Sequence, residues 1–299
     1  MAIVPENINK IANKIATQLE AKVVIYSGAI DGLGYGKLIR AIRSTDAQPS
    51  MKNTLLLLTT HGGSAQYAYK IARLLQDLTP DKFYLCLPST CKSAGTLVAL
   101  GANELFMSVV SELGPLDVQL QQRDEIGKRR SGMVVRTALD GLANETYQVF
   151  ERVMLGIKKS SEQNVSFEVA SKIASAIATG MMAPVYAQIN PEALGNDLRD
   201  LSVARAYGNR LAKLGGNATQ ETVRKFIEDY PAHEFIIDEM ESKGLFNIVN
   251  RETAEISELE SELGSIVYTV QDPHYIERVD GNFKKEGNGK GKKKKKGEG

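Results

Sequence analysis

Apolar residues return at Ile8, Ile11, Ile15 and Leu19, the spacing of one helical face. From there two periods alternate. Lys22–Ser27 (KVVIYS) reads as a strand and Gly34–Arg43 as a helix; Thr54–Thr59 (TLLLLT) is a buried strand, followed by a helix over Ser64–Leu78 that turns Ala65, Ala68, Ile71, Ala72 and Leu75 inward. Phe83–Leu87 predicts a third strand, Ala94–Leu100 a short helix and Glu104–Met107 a fourth strand. Wholly apolar strands alternating with helices are what a mainly parallel sheet covered on both faces requires.

After Gln122 the texture changes. RDEIGKRRSG is a charged loop, and long helical patterns follow over Leu139–Lys159, Phe167–Thr179, Leu198–Leu214 and Glu221–Asp229. Phe235–Ile237 and Ile266–Val270 read as short strands. The most apolar stretch, Ile173–Ala187, is broken by Gly180 and Pro184 and falls short of the ~18 apolar residues of a membrane span. It predicts either a core or subunit-interface helix ending before Pro184, or a lining for an extended apolar peptide. The opening MAIVPENINK lacks the regions of a signal peptide, so the expectation is a cytoplasmic protein.

Composition adds three constraints. With 42% hydrophobic residues in 299, a substantial core is available, while the absence of Trp removes the best stacking side chain. Cys86 and Cys91 form neither a disulfide framework nor a metal-ligand pattern. The net charge of +1 conceals an asymmetry: eight Lys and two Glu between Lys284 and Gly299 give +6, leaving −5 for the rest. That tail has nothing to bury and is expected to be disordered. It suits either solubility or a weak anionic partner, a nucleic acid or a membrane surface.

Two loops carry candidate chemistry, each between a strand and a helix. In TTHGGSAQYAYKIARLL, Gly62 and Gly63 let backbone N–H groups face a ligand, and such groups can hold an oxyanion. In STCKSAGT, Ser93 stands at the helix start, where serine is a favoured cap and where a nucleophile would also profit from the helix N-terminus. Either loop alone leaves both readings open.

Together, with SELGPLDVQ downstream, they resemble the Clp/crotonase fold in its peptidase branch: Clp protease, signal peptide peptidase A and, most closely, the serine dehydrogenase proteinase family. The matching blocks are Gly62–Gly63, Ser93-Ala94-Gly95-Thr96-Leu97, Leu113-Gly114-Pro115-Leu116-Asp117-Val118-Gln119, and His233-Glu234-Phe235-Ile236-Ile237 before Gly244-Leu245. The resemblance is dense over about 22–120 and resumes around 230–249. It implies an α/β Clp/crotonase-like domain over residues 1–250, helical from about 138, then a C-terminal extension over 251–282 and the basic tail over 283–299. It also implies a homo-oligomeric serine peptidase acting on peptide or protein substrates, with no metal or organic cofactor.

On the same resemblance Ser93 is the nucleophile, the Gly62 and Gly63 amides form the oxyanion hole, His233 is the general base and Asp117 orients it. Each has a plainer reading: His233 and Asp117 as turn residues, Ser93 as a cap. His61 stands where many relatives have proline, and His274 matches nothing. Lys92 and Lys128 are rival bases, since some relatives use lysine, and Cys91 is a rival nucleophile. Two other functions stay open: a crotonase-like enzyme binding acyl-CoA through the same donors, and a catalytically inactive scaffold or adaptor that uses the basic tail.

Overall fold

The computed structural model describes residues 5–43, 51–116, 119–121 and 129–281. Helix α1 (Glu6–Leu19) leads into β1 (Ala21–Ser27), α2 (Gly32–Arg43), β2 (Asn53–Thr59), α3 (Ala65–Leu78) and β3 (Phe83–Leu87). The short β4 (Thr90–Cys91), α4 (Ala94–Ala99), β5 (Glu104–Met107) and β6 (Glu112–Leu113) follow, then a ribbon of β7 (Gln119–Gln121) and β8 (Arg129–Ser131). The helical part contains α5 (Gly132–Ser160), α6 (Phe167–Tyr186), α7 (Pro191–Gly215), α8 (Gln220–Glu228) and α9 (Glu239–Leu245). Strand β9 (Val249–Arg251), α10 (Ala254–Leu263), α11 (Ser265–Tyr268) and β10 (Tyr275–Arg278) close the described chain.

The main sheet runs β10-β1-β2-β3-β5-β9, parallel throughout except for the antiparallel edge strand β10. Its side chains alternate between two cores. Val24, Leu56, Leu85 and Leu105 lie in register and face α2, α3, α4, α7 and α8, whereas Val23, Leu55 and Tyr84 face α1 and α10. With both faces covered, the strands have no polar side to present, which is why TLLLL carries no alternation. Each fully buried leucine contributes about 1.5–3 kcal/mol.

A second, smaller layer lies over the C-terminal ends of these strands. Ile30 bridges Gly63, Thr60 bridges Cys91, β4 pairs with β6, and Leu113 bridges Ile237. Open parallel sheets expose their ligand crevices at this end.

The architecture is the α/β arrangement that the sequence implied, a mainly parallel sheet covered on both faces with a helical C-terminal portion. Several details differ. Ile266–Val270 is not a strand: α11 occupies most of it, with Val267 buried while Tyr268 faces outward. Its neighbours are held by side-chain bonds, the Val267 carbonyl accepting from Thr59 Oγ1 (2.5 Å) and Ser89 Oγ (2.9 Å). Phe235–Ile237 contributes one bridge at Ile237 rather than a strand. Helix α6 runs through Pro184 to Tyr186, because a proline so near the C-terminal end removes a single hydrogen bond.

The expected boundary at residue 250 falls inside β9, and beyond it α10 packs on α1 while β10 pairs with β1. The basic tail lies outside the described residues. No helix among the described residues is long and apolar enough to cross a membrane.

Candidate active site

Ser93 caps α4 with φ 53° and ψ −113°, one of four non-glycine residues at positive φ among the described residues. Its side chain makes no capping hydrogen bond to the helix. A β-carbon in this region costs on the order of 1–3 kcal/mol and persists where surrounding structure enforces it.

The enforcement comes from both sides. Lys92 N donates to the Thr60 carbonyl (3.0 Å) and Gly95 N to the Lys92 carbonyl (2.8 Å), clamping the turn. Thr96 Oγ1 donates to the Gly114 carbonyl (2.6 Å), which fastens the LGP stretch to α4. Leu116 N then donates to the Phe226 carbonyl (2.9 Å), so the same stretch is held between α4 and α8.

The glycine loop is shaped by close approach. A β-carbon on Gly62 (φ 110°) would stand 2.8 Å from Ser93 Cβ and 3.0 Å from the Lys92 carbonyl oxygen. One on Gly63 (φ 144°) would meet the Ile30 carbonyl oxygen at 2.3 Å. Only glycine supplies both the backbone conformation and the space.

Ile30 holds the loop, accepting from Ser64 N and donating to the Gly62 carbonyl, both at 2.8 Å. Gly62 N is itself committed, donating to Thr60 Oγ1 at 3.0 Å. The amides of Gly63 and Ala94 have no acceptor among the described residues. Gly63 and Ala94 line a cleft with Ser93, walled by the apolar side chains of Ala65, Leu97, Leu116 and Ala204. The part played by Thr60, Ala94 and Ala204 had no signal in the sequence, because backbone amides carry no residue signature and α7 reaches the cleft only through tertiary packing.

His233 comes to the same layer from a turn before Ile237. Lys92 Nζ donates to the Glu234 carbonyl (3.4 Å) and pairs with the carboxylates of Glu112 (3.4 Å) and Glu234 (3.7 Å). The residue before Ser93 and the residue after His233 are thus joined by a direct contact. The imidazole is mostly enclosed, with Nε2 4.0 Å from Glu234 Oε1. It does not line the Ser93 cleft among the described residues. Asp117 and Lys128 lie outside the described residues.

The other candidates have structural surroundings. His61 is exposed. His274 Nε2 meets the Ala29 carbonyl (2.9 Å) and Asp31 Oδ1 (3.2 Å), and its ring packs edge-on against Tyr26. Cys91 is fully buried, and burial pushes its thiol far above the ordinary range, away from the thiolate a nucleophile needs.

Residues 29–129 match the family model of the ClpP-like SDH-type serine proteinases, and over that segment the recognition read from the sequence blocks holds. An uncharacterized protein of Methanocaldococcus jannaschii is 37% identical over 86 residues, which is 29% of either chain, so the match spans less than a third of that relative. Among solved structures, the 1510-N membrane-bound stomatin-specific protease is similar at 15% identity over 80% of this chain and 84% of its own, with TM-score 0.47. A second structure of that protease, with a substrate peptide, covers 87% of each chain at the same identity and score. A peptidase from Plasmodium falciparum covers 54% of this chain and 87% of its own, at 11% identity and TM-score 0.26.

Proposed function

We propose that this chain is a serine peptidase cleaving peptide bonds through an acyl-enzyme on Ser93. The observation that carries the reading is the strained backbone of Ser93, held at the rim of a cleft beside two amides that have no acceptor among the described residues. Strain of this kind is kept where it positions a reacting group.

Ser93 Oγ attacks the scissile carbonyl carbon, and its proton passes to His233, with Asp117 as the orienting carboxylate. The carbonyl oxygen becomes an oxyanion that accepts from the amides of Gly63 and Ala94. Because Gly62 N already serves Thr60, Gly62 contributes close approach rather than a donor. The proton returns to the leaving amine, and water then releases the acyl group by the same steps. Each oxyanion donor is worth about 10²–10³ in rate. The cleft walls of Gly63, Ala65, Leu97, Leu116 and Ala204 favour a small apolar side chain before the scissile bond.

The test is labelling with a fluorophosphonate, located by peptide mass spectrometry. Wild type should label on Ser93, and both Ser93→Ala and His233→Ala should lose the label. Labelling that survives His233→Ala would remove the histidine from the reading, and a folded wild type that never labels would remove the peptidase.

A further inference from the structure

Helix α6 is apolar where it has no cover. Its buried row is Ala170, Ala174, Ala178 and Met182, and α6 packs on α5. The adjacent row at the same four-residue spacing, Val169, Ile173, Ile177, Met181 and Val185, is 38–58% exposed, and Phe167 and Tyr186 extend it at the ends. The helix has one acidic and one basic side chain, Glu168 and Lys172, and they pair with each other at 2.7 Å. A helix this apolar around its circumference belongs under cover.

The shape of the face indicates what covers it. On the far side of the exposed ridge runs a row of small residues, Ala176, Gly180 and Pro184, and among the described residues nothing outside the helix's own turn lies within 4 Å of where a β-carbon on Gly180 would stand. A ridge and a groove of the same spacing, side by side on one helix, complement a second copy of that helix. This is the packing of four-residue ridges into four-residue grooves, with axes crossing at about 50°. The ridge is also centred: about a twofold axis at Ile177, with the helices antiparallel, Ile173 of one copy lies opposite Met181 of the other and Val169 opposite Val185. An isologous contact requires this self-matching.

The exposed parts of these seven side chains amount to roughly 600 Å², most of the ~800 Å² that each partner gives to a standard interface, and the small exposed residues add to it. A membrane leaflet would instead call for basic residues along the polar side, and α6 has one lysine, already paired. An extended peptide is held by a sheet edge or a deep groove, whereas α6 offers a convex ridge.

We propose that α6 is the face on which a second copy of this chain docks, the two α6 helices crossing on a twofold axis near Ile177. The contact is independent of the peptidase reading. It is tested on the full chain by light scattering at tens of micromolar, comparing wild type with Ile173→Lys and Ile177→Lys. These positions are partly exposed, and unchanged far-UV circular dichroism confirms that the variants fold.

Wild type should show the mass of two chains or a multiple of it, and each variant should show half or less. Under mild oxidation Ile177→Cys should form a disulfide-linked dimer with itself, while Val169→Cys, about 24 Å away from its twofold mate along the helix, should not. A monomeric wild type, variants that keep the wild-type mass, or equal cross-linking at both positions would each overturn the proposal. So would a monomer that floats with phosphatidylcholine vesicles, which would assign the face to a membrane.

Discussion

Glu260 should lose its hold on a proton-dependent stability when it is changed to glutamine. Its carboxyl is buried against the sheet (2% exposed), with Oε1 3.3 Å from the Cys86 sulfur, and Glu252 stands beside it. Among the described residues Glu252 Oε2 is buried with no hydrogen-bond partner beyond the Glu260 carboxyl itself. Burial first, then the Glu252 charge, push Glu260 up to about 8 from 4.5. Among the described residues, Cys86, Glu252 and Tyr268 are the titratable groups around it, and none is a cation.

The folded state holds this proton more tightly than the unfolded chain, so the stabilisation is complete below the unfolded value and is lost as pH rises through the folded one. Between the two values stability falls by about 1.4 kcal/mol per pH unit, or about 4 kcal/mol from pH 5 to pH 8. Glutamine keeps the shape and supplies an N–H to Glu252 at every pH, so Glu260→Gln should flatten the slope and exceed wild type in stability at pH 8. Urea unfolding at half-unit steps from pH 5 to pH 8, reading the midpoint at constant m, measures this. Parallel pH profiles for wild type and variant would refute the argument, because they would mean Glu260 is ionised in the folded state.

Ser93 allows a paired prediction: Ser93→Ala and Ser93→Gly should both abolish turnover, but only glycine releases the positive-φ strain, so only Ser93→Gly should also gain about 1 kcal/mol in urea unfolding. Gly62→Ala places a methyl 2.8 Å from Ser93 Cβ in a backbone region hostile to it, and should cost about 2–3 kcal/mol and abolish fluorophosphonate labelling. Asp280 is 5% exposed, pairs with Arg278 Nη2 at 2.6 Å and accepts from Val23 N at 2.7 Å. Asp280→Ala leaves that guanidinium buried without its carboxylate and should lose about 3–5 kcal/mol by thermal or urea unfolding.

The first half of the fold was legible residue by residue. KVVIYS, TLLLLT, Phe83–Leu87 and Glu104–Met107 are strands within a residue of where their apolar runs place them. Such runs have one stable use, a sheet covered on both faces, so local pattern and global architecture agree. Beyond residue 245 that agreement weakens. Val249–Arg251 and Tyr275–Arg278 are short edge strands, and an edge strand needs no continuous apolar run to pair. Ile266–Val270 has the composition of a strand and becomes α11, because its place between β2 and the chain's return to β10 rewards a tight turn that buries Val267 alone.

What the sequence determined by itself was the strand–loop–helix order, the two loops that must meet, and the glycines and serine within them. It did so because chain order and side-chain size are local quantities. Which amides are committed was decided only in three dimensions: Thr60 takes up Gly62 N, while Gly63 and Ala94 line the cleft with no acceptor among the described residues. The closure of that cleft by Ala204, from more than a hundred residues away, was decided the same way. So was the fate of the apolar run Ile173–Ala187, whose hydrophobicity predicts burial, while its packing on α5 leaves a ridge exposed. Hydrogen-bond commitment and the sharing of apolar surface depend on which segments arrive together, and no window of sequence contains that.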